Sequence, residues 1–440
     1  MKAPLPPIVF LAAFLGGCQA TIAPVDPPAP QSLDRSLVQR GAALAAIGNC
    51  HGCHTSRVGP PLAGGLPMHS PFGTLYSTNI TPDPETGIGR WSEQAFQRAM
   101  RSGVDRRGRH LYPAFPYERF TRVTDEDNRA LYAYLMSRPP VRFTPPKNHL
   151  VFPFNLRAGI AAWNFLFLRE GPQPPDASKG AVVARGEYLV EGLGHCGSCH
   201  SPRNLLYAED RGRPYAGGDA EGWHAYAINR DNAAPIPWDT EALAFYLRNG
   251  WHERHGVSRG TMGLVTGELA RAPQAEVQAM AAYVVSLMGP VSEARRQRAV
   301  SADRNPLPTS GAAGEGAALY ATACFDCHDG RRAPPFGGMA LSLSLGLSGE
   351  TPRNLVNVIL HGLPAAQGET APLMPGYSGA LGDAQVAALV TWLRANFTDR
   401  APWPDFSNLI REAREMDSST LLFPPGGAGA DPASPSSRSP

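Results

Sequence analysis

The chain has 440 residues, which is long enough for two to four domains, and its formal net charge is only +2. This near balance gives no electrostatic reason to expect nucleic acid or another bulk polyanion as a partner. Proline and glycine are abundant, with 44 and 46 residues, which favours short helices separated by long ordered loops.

The first 18 residues are typical of a secretory signal. Lys2 precedes an apolar run from Ile8 to Phe14, and Leu15-Gly16-Gly17-Cys18 follows. This ending fits a lipobox, in which Cys18 is lipidated and becomes the mature N-terminus. The alternative is an ordinary signal cleaved near Ala20, and export is expected in either case. Residues 19–35 then form a proline-rich tether.

Three copies of Cys-x-x-Cys-His are the main chemical signal in the chain. They are Cys50-His51-Gly52-Cys53-His54, Cys196-Gly197-Ser198-Cys199-His200 and Cys324-Phe325-Asp326-Cys327-His328. In covalent c-type haem attachment, two thiols at this spacing add to the vinyl groups and the adjacent histidine becomes the proximal iron ligand. A redox disulfide or half of a zinc site also uses Cys-x-x-Cys, but neither explains why the histidine recurs. We therefore expect three haem c groups.

Similar patterns surround the three motifs and predict three helical modules in tandem. In each module a helix precedes the motif, a proline- and glycine-rich turn follows it, a second helix ends at a glycine, and an amphipathic helix closes the module. The second helices are predicted at 91–103, 238–250 and 351–362. The closing helices are predicted at 124–135, 273–287 and 382–397. The predicted fold class is all-α, with long ordered loops.

These patterns divide the chain into modules and connecting segments. The modules are expected at 36–141, 179–292 and 308–400. The connections are 142–178 and 293–307, and residues 401–440 are expected to be an extension with a disordered tail. The apolar stretch Val151 to Leu168 is interrupted by polar residues, so we expect it to pack between domains rather than to span a membrane. Its many aromatic side chains leave a partner or membrane-surface contact open.

The glycine that ends each second helix locates candidate sixth ligands of iron. Twelve residues after Gly250 and Gly362 come Met262 and Met374, whereas Phe115 comes twelve residues after Gly103. A methionine thioether is a soft ligand that, together with histidine, raises the reduction potential of a haem. Met262 and Met374 are therefore predicted to bind the second and third irons, and phenylalanine cannot bind the first.

The first iron needs another sixth ligand. Met100 lies three residues before the glycine that ends its helix, where the other modules have Leu247 and Ile359. Because this position is apolar in all three modules, we expect it to face the haem, and we expect Met100 to replace the missing ligand. Met68, His110 and a five-coordinate iron are the alternatives.

The remaining histidines give weaker signals. His51 and His195 lie inside or beside the motifs, and His252, His255 and His361 lie near the second helices. We interpret them as solvated or propionate-side residues rather than as ligands.

Three stretches carry a resemblance to a known family. They are Thr-Leu-Tyr-Ser-Thr-Asn-Ile-Thr-Pro-Asp at 74–83, His-Leu-Tyr-Pro-Ala-Phe-Pro-Tyr at 110–117 and Gly-His-Cys-Gly-Ser-Cys-His-Ser-Pro-Arg-Asn at 194–204. With them the chain resembles the tri-haem cytochrome c subunits of membrane-bound bacterial dehydrogenases, which serve gluconate, fructose and alcohol dehydrogenases and molybdenum hydroxylases such as nicotinate dehydrogenase. The resemblance covers nearly the whole mature chain. Many family members have methionine where Phe115 stands, and the phenylalanine form is more similar to the molybdenum-hydroxylase group.

The resemblance implies three cytochrome c-like domains and a role in electron transfer. In such domains a carbonyl from the proline-containing loop after the motif accepts a hydrogen bond from the proximal histidine. The chain is then not an enzyme itself. It passes electrons from a catalytic subunit, which is a molybdenum hydroxylase, a flavoprotein or a quinoprotein, to a quinone, a terminal oxidase or a cytochrome acceptor. A lipid anchor at Cys18 would hold it on the periplasmic side of the inner membrane.

Two other functions remain open from the residues alone. An open first iron, next to Phe115, is the basis for a haem peroxidase-like enzyme. A soluble electron store without a fixed partner is the other possibility, although the predicted anchor argues against it. The sequence contains no Rossmann fingerprint, phosphate loop or paired catalytic carboxylates that would supply substrate chemistry.

Overall fold

The structure is a computed structural model that describes residues 20–173, 176–304, 314–328, 338–363 and 373–416. Within these ranges the chain is mostly helical, with three small antiparallel sheets. The all-α prediction therefore missed several short strands. Cys18, the signal segment and the predicted tail from 417 onward lie outside the described residues. None of the described helices combines the length and the hydrophobicity that crossing a membrane requires.

The first helical unit surrounds the first motif. Its helices are α1 (Arg35–Ile47), α2 (Cys50–His54), α3 (Glu93–Ser102), α4 (Tyr117–Phe120) and α5 (Asp125–Met136). The side chains of Asp34, Ser92 and Thr124 accept hydrogen bonds from backbone N–H groups at the starts of α1, α3 and α5, which satisfies donors that a helix start leaves unpaired. Gly103 ends α3 with a φ of 62°, so the predicted glycine cap is confirmed.

The second and third units repeat this arrangement, and α6 (Ala158–Phe167) lies in the connection between the first and second. The second unit contains α7 (Ala181–Glu191), α8 (Gly197–His200), α9 (Thr240–Asn249), α10 (Thr261–Leu269) and α11 (Gln274–Met288), and α12 (Glu293–Asp303) follows it. The third contains α13 (Glu315–Ala323), α14 (Phe325–His328), α15 (Leu345–Ser348), α16 (Arg353–His361), α17 (Asp383–Phe397) and α18 (Ser407–Glu415). The predicted second and closing helices are present in every unit.

The first helix and the closing helix of every unit (α1 and α5, α7 and α11, α13 and α17) cross at a glycine. A Cβ atom on Gly41 would lie 2.0 Å from the carbonyl oxygen of Ala130 on α5, and one on Gly186 would lie 1.9 Å from that of Ala279 on α11. Gly316 on α13 meets α17 in the same way, at 2.5 Å. Since these distances are far inside van der Waals contact, only glycine lets the two backbones approach so closely.

Two β-hairpins follow the motifs in the first and second units. In the first, β1 (Pro67–Ser70) pairs with β2 (Gly73–Tyr76), and β3 (His149–Leu150) of the connecting segment adds to β2. In the second, β4 (Gly218–Ala220) pairs with β5 (Trp223–Ala225), and β6 (Trp251–His252) pairs separately with β7 (Gly256–Val257). Strands of two to four residues are too short for an alternating pattern to be recognised in the sequence.

The first and second units share one hydrophobic core, which contains Leu131 of α5 and Leu189 of α7. Arg119 on α4 reaches across the boundary between the units to Glu191 at 2.5 Å and also pairs with Glu209. All three side chains are 10–13% exposed. Burying such charges costs desolvation energy and is weak evidence for stability, but the fork geometry of Arg119 sets how the two units meet.

The third unit has its own core around Leu389 and meets the second unit through polar contacts. Asn354 on α16 donates through Nδ2 to His224 O at 2.8 Å, and His224 N donates back to Asn354 Oδ1 at 2.8 Å. Asn357 on the same helix donates to Gly222 O at 3.0 Å. These bonds fix α16 against the β4–β5 hairpin of the second unit.

Replacing Gly186 with alanine is expected to destabilise the protein by about 1–3 kcal/mol, because the new methyl group must push α7 away from α11. Gly159 on α6 is the matched control, since no atom lies within 4 Å of its Cβ position. Gly159→Ala should be neutral or should stabilise the helix by up to about 1 kcal/mol. Urea titration followed by circular dichroism measures both effects, and a Gly186→Ala variant as stable as the parent would contradict the close crossing.

Candidate haem centres

The three Cys-x-x-Cys-His motifs lie on or run into the short helices α2, α8 and α14. All six motif cysteines are free thiols in the structure. Among the described residues, no group of three or more His, Cys, Asp or Glu side chains is arranged to hold a metal ion. A zinc site would need further ligands beside a Cys-x-x-Cys pair, and no such group lies in this part of the chain. Each motif places two thiols and one imidazole on about one helical turn.

A backbone carbonyl accepts a hydrogen bond from the histidine of every motif. The pairs and their Nδ1–oxygen distances are His54–Thr78 (2.6 Å), His200–Tyr226 (2.6 Å) and His328–Met339 (2.9 Å). An imidazole that donates from Nδ1 keeps the Nε2 lone pair for a metal. The ring is thus oriented and held in the tautomer that a proximal ligand needs.

The proline- and glycine-rich turn after each motif differs from the prediction, because it does not supply this carbonyl in the first two units. Its N–H groups instead donate to the motif backbone at 2.7–2.8 Å, from Gly64 to His54, from Gly217 to His200 and from Gly338 to Cys327. In the first two units the acceptor carbonyl comes after the β1–β2 or β4–β5 hairpin. Met339 directly follows the third turn, where no hairpin intervenes. The hairpins are therefore insertions between the turn and the acceptor.

Burial keeps the motif side chains neutral. It raises the pKa of the Cys50 and Cys196 thiols to about 12 and that of Cys324 to about 11. Burial also lowers the pKa of His54 and His200, although the bond to the carbonyl opposes this effect. The neutral imidazole is the form that coordinates a metal.

The main chain supports the predicted twelve-residue register in the first two units. The N–H group eight residues after Gly103, and the one eight residues after Gly250, each donates to the carbonyl of that glycine at 2.7 Å. Four residues further along come Phe115 and Met262, which therefore occupy matching positions. Both are part-buried and pack against the shared core.

In the third unit, residues 364–372, which lie between the helix-ending glycine and Met374, are outside the described residues. Met374 itself forms an antiparallel bridge with Leu363, in which Leu363 N donates to Met374 O at 2.9 Å. This bridge places Met374 beside the end of α16, the helix predicted to face the third haem.

Met100 lies on α3 and is 5% exposed, and its counterparts Leu247 and Ile359 are 9% and 4% exposed. This position is therefore interior in all three units. Phe115 packs on Phe120 of the core with 5.2 Å between ring centroids.

The alternative ligands for the first iron lie on other elements. Met68 is on β1, opposite Leu75 of β2. His110 pairs in a bridge with Val104, and its Nδ1 atom lies 3.4 Å from Asn164 Nδ2 on α6. The His110 ring is thus engaged with the connecting segment, which favours Met100 over it.

Arg259 is a buried cation that sequence reasoning missed. Its side chain is 8% exposed, and no acceptor within the described part of the chain pairs with any of its three guanidinium nitrogens. The buried indole Nε1 of Trp223 also lacks a partner there, and Gly260 lies against that ring. Burial lowers the pKa of Arg259 to about 10. Since an unpaired buried guanidinium is costly, these groups indicate a site built for an anion.

The propionate groups of a haem supply such an anion. Trp223 lies on β5, and Tyr226, whose carbonyl holds His200, follows that strand directly. Arg259 and Trp223 therefore lie near the second motif, and the residues present fit a haem there. A single loop arginine has no distinctive spacing, so nothing in the sequence distinguishes it.

His195 is a second residue whose role differs from the prediction. Its ring is hydrogen-bonded to the backbone of Gly48 in the first unit, and burial lowers its pKa. The ring also packs edge-on against Phe120 at 5.5 Å. His195 precedes Cys196, and Gly48 comes two residues before Cys50. One side chain thus joins the first two motifs.

Two more histidines that we interpreted as solvated or propionate-side are bonded to protein. His51 Nε2 lies 2.9 Å from the Tyr134 hydroxyl, and His361 Nε2 lies 2.8 Å from Ala413 O. The first contact joins the first motif to α5, and the second joins α16 to α18. These rings are therefore bonded to protein groups rather than to solvent alone.

The chain is similar to known cytochrome proteins over most of its length. Residues 38–139 match the family described as "Cytochrome c", and residues 311–393 match "Cytochrome C oxidase, cbb3-type, subunit III". The gluconate 2-dehydrogenase cytochrome c subunit of Pantoea cypripedii is 36% identical over 384 residues, which are 83% of this chain and 87% of that protein. This chain belongs to the family of dehydrogenase cytochrome c subunits. The predicted resemblance is confirmed.

Other relatives of this cytochrome c subunit serve different dehydrogenases. The alcohol dehydrogenase (quinone) cytochrome c subunit of Gluconacetobacter polyoxogenes is 35% identical over 393 residues, 84% of this chain and 82% of that protein. A nicotinate dehydrogenase subunit of Pseudomonas putida is 45% identical over 401 residues, 90% of this chain, but the chain spans only 33% of that protein.

The names of these relatives distinguish an electron-transfer subunit from an enzyme. The relatives named as cytochrome c subunits transfer electrons and are not the catalytic subunits of their complexes, so the prediction that this chain is not an enzyme is confirmed. They do not favour the peroxidase-like alternative. Cytochrome c domains imply covalently bound haem c, in which the porphyrin iron supplies one-electron chemistry.

Replacing Arg259 with glutamine should lower the reduction potential of one haem, because a nearby cation stabilises the reduced iron, which carries one positive charge less. Arg259→Lys, which keeps the charge, should restore most of the potential. Arg254→Gln is the control, since Arg254 is partly exposed and pairs with Asp303. Spectroelectrochemical titration of the holoprotein measures each potential. Unchanged potentials in Arg259→Gln would show that the guanidinium does not face a haem.

Proposed function

We propose that this cytochrome c subunit carries three haems in three tandem domains and relays electrons from a dehydrogenase catalytic subunit to a quinone or another terminal acceptor. The domains correspond to 36–141, 179–292 and 308–400. The observation that carries the proposal is the repeated bond from each motif histidine to a carbonyl, since it prepares the same metal ligand three times.

The contact between the first two units supports direct electron transfer between their haems. The Cys199 thiol lies close enough to Cys53 to contribute to raising the pKa of Cys53, after burial, which is the main cause. His195 adds a hydrogen-bonded link from the second motif to Gly48. Because electron tunnelling falls steeply with distance, two adjacent motifs make a short step.

The contact between the second and third units extends the same row. α16 is bonded to the β4–β5 hairpin through Asn354 and Asn357. The residue after that hairpin, Tyr226, holds the proximal His200. The third unit therefore lies against the segment that orients the second proximal ligand, which supports the order first, second, third.

The sixth ligands in this proposal are Met100, Met262 and Met374. Met262 matches Phe115 in register, and Met374 lies beside the end of α16. Met100 is buried on the helix that is interior in every unit. Three His/Met irons would need little rearrangement on electron transfer and would share relatively high potentials.

The proposed location is the periplasmic side of the inner membrane, with a lipid anchor at Cys18. Export is required for covalent haem attachment in this class of cytochrome. The partner is a molybdenum hydroxylase, a flavoprotein or a quinoprotein, and relatives named for nicotinate, gluconate, alcohol and fructose dehydrogenases support a dehydrogenase partner. A quinone acceptor is supported by the name of the alcohol dehydrogenase (quinone) relatives.

Replacing Met100 with leucine should convert the first haem from low-spin six-coordinate iron to a form that binds carbon monoxide, because leucine fills the space but cannot bind iron. Met136→Leu is the matched control, since Met136 is a 1% exposed methionine of the same unit with no assigned ligand role. Optical and electron paramagnetic resonance spectra report the spin states. A Met100→Leu protein with every haem still low-spin would exclude Met100 as the ligand.

The relay itself can be tested with the native complex. The tagged full-length chain, purified in mild detergent from its own host, should bring down a dehydrogenase catalytic subunit. Anaerobic addition of that subunit's substrate should reduce all haems, and a short-chain quinone should reoxidise them. If the catalytic subunit reduces an artificial dye while the haems stay oxidised, the proposed relay is wrong.

A further inference from the structure

A carboxyl group without a partner lies at the boundary between the first and second units. Glu118 is on α4, one residue before Arg119, and its side chain is part-buried. Its Oε2 atom is closed off from solvent and has no hydrogen-bond partner in the described part of the chain. Because burying an ionised carboxylate without a partner is costly, this position disfavours a permanent negative charge.

The arginines beside Glu118 already pair with other carboxylates. Arg119 lies 2.5 Å from Glu191 and also pairs with Glu209. Arg122 lies 3.3 Å from the same oxygen of Glu191. The charges of these arginines are therefore compensated by Glu191 and Glu209, and Glu118 is left without an ion pair among the described residues.

Charged and titratable groups face Glu118 and its surroundings from several segments. Those on or after α4 and α6, on α7 and after the second motif are Tyr117, Arg119, Arg122, Arg169, Glu191, Arg203, Glu209, Asp210, Arg211 and Tyr215. Burial is the largest effect on the pKa of Glu118 and raises it to about 7, with a contribution from Glu209. Its own backbone N–H, Arg203 and Arg119 oppose the rise. A carboxyl group in this environment changes its protonation state near neutral pH.

The groups around Glu118 pack directly on the second motif. A Cβ atom on Gly197 would lie 2.0 Å from Arg119 Nη2. Ser198 donates through Oγ to Glu209 Oε1 at 3.3 Å, and Arg203 donates to Ser198 O. Gly197 and Ser198 are the two residues between the motif cysteines. A charge on the haem held by that motif therefore lies in the same cluster of interacting charges.

The motif sulfur atoms already feel these charges. Arg119 acts electrostatically on the Cys196 thiol, and Arg203 and Glu209 act on the Cys199 thiol. The same arginines and the same glutamate act on Glu118. Since electrostatic interaction is reciprocal and is weakly screened away from water, a change of charge at the second haem changes the proton affinity of Glu118.

A cavity gives protons a route to this carboxyl group. It has a volume of about 230 Å³, and its walls include Glu118, Trp163 and Phe167 of α6, and the polar side chains of Gln173 and Asp210. A polar space of this size holds several water molecules. Glu118 can therefore exchange a proton with water although its Oε2 atom is closed off from bulk solvent.

We propose that Glu118 binds a proton when the haem of the second motif is reduced and releases it when that haem is oxidised. Glu118 takes the proton from water in the cavity, forming its O–H bond, as one electron from the dehydrogenase reaches the ferric iron. It returns the proton to water when the electron leaves. The net charge of the region is thus the same in both states. The proposal rests on the haem relay proposed above and adds a proton to its second step.

The reduction potential of one haem should therefore fall as pH rises through about pH 6–8 and should be constant on either side of this window. Below it Glu118 is protonated in both redox states, and above it Glu118 is ionised in both. The expected coupling is about threefold to tenfold in proton affinity, the range that a unit charge exerts on a nearby group at an effective dielectric constant near 20. The potential changes by the same factor, because coupling between two binding events is reciprocal.

Spectroelectrochemical titration of the haem-loaded full-length protein at several pH values measures this effect. Glu118→Gln keeps the shape of the side chain and stays neutral, so its potential should match the low-pH value of the parent and should not vary across the window. Glu126→Gln is the matched control, since Glu126 lies on α5 of the same unit with a side chain that is 63% exposed. This control should keep the pH profile of the parent.

Infrared difference spectra recorded during electrochemical reduction give a second readout. Near pH 7 the parent and Glu126→Gln should gain the C=O band of a protonated carboxyl group on reduction, and Glu118→Gln should not. A parent whose potentials do not vary between about pH 6 and pH 8 would overturn the proposal without any variant. A Glu118→Gln protein that keeps the pH dependence or the band would also overturn it, because a propionate or another side chain would then carry the proton.

These outcomes are distinct from those that test the relay. Because an electrode supplies the electrons, a relay that failed with the native dehydrogenase would leave the pH profile and the infrared band measurable. Potentials that are independent of pH would remove the proton-binding role of Glu118 and leave electron transfer through the haems standing.

Discussion

The hydrogen bond from each motif histidine to a backbone carbonyl is the constraint on which the rest of the structure depends. The acceptor lies 24 residues after His54, 26 after His200 and 11 after His328, yet the Nδ1–oxygen distance stays between 2.6 and 2.9 Å. Lengthening a loop costs little free energy, whereas misplacing the imidazole would lose the metal ligand. The three units therefore keep the bond and let the intervening chain vary.

One of the segments that supply these carbonyls also makes a contact between units. The β4–β5 hairpin delivers Tyr226 to His200 and, on its other side, binds α16 of the third unit through Gly222 and His224. Between the first and second units, Arg119 is held by Glu191 and Glu209. Burial alone would raise the pKa of Glu191, but Arg119 and the hydroxyls of Tyr215 and Tyr283 lower it overall, so this carboxylate stays charged at neutral pH. Both contacts between units consist of hydrogen bonds or ion pairs with a defined geometry, which suits units that must keep a fixed spacing.

Features with a strong local signature could be predicted from the sequence. The motif spacing, the glycine that ends each second helix and the amphipathic closing helices all repeat, and the structure has them. The twelve-residue spacing also predicts that Phe115 and Met262 occupy matching positions, and the matching bonds to Gly103 and Gly250 support it. The two-residue to four-residue strands have no such signature, so the carbonyls of Thr78 and Tyr226 could not be assigned.

Long-range contacts account for the remaining differences. His195 was expected to face solvent or a propionate, but its partner Gly48 lies in another unit. Arg259 stands out only because it is buried without an acceptor in the described chain, which is a property of the fold. The aromatic segment around α6 was predicted to pack between units. Ile160 is buried and Trp163 bonds to Leu206 O, whereas Phe152 and Leu166 remain exposed.

Peptide mapping by mass spectrometry tests the central claim most directly. The mature protein, made in a host that attaches c-type haem, is digested, and each motif peptide is weighed. The account predicts one haem on each of the peptides that contain Cys50 and Cys53, Cys196 and Cys199, and Cys324 and Cys327, bound through both sulfur atoms. A motif peptide recovered with free thiols, a disulfide or bound zinc, in protein whose other motifs are fully loaded, would contradict it.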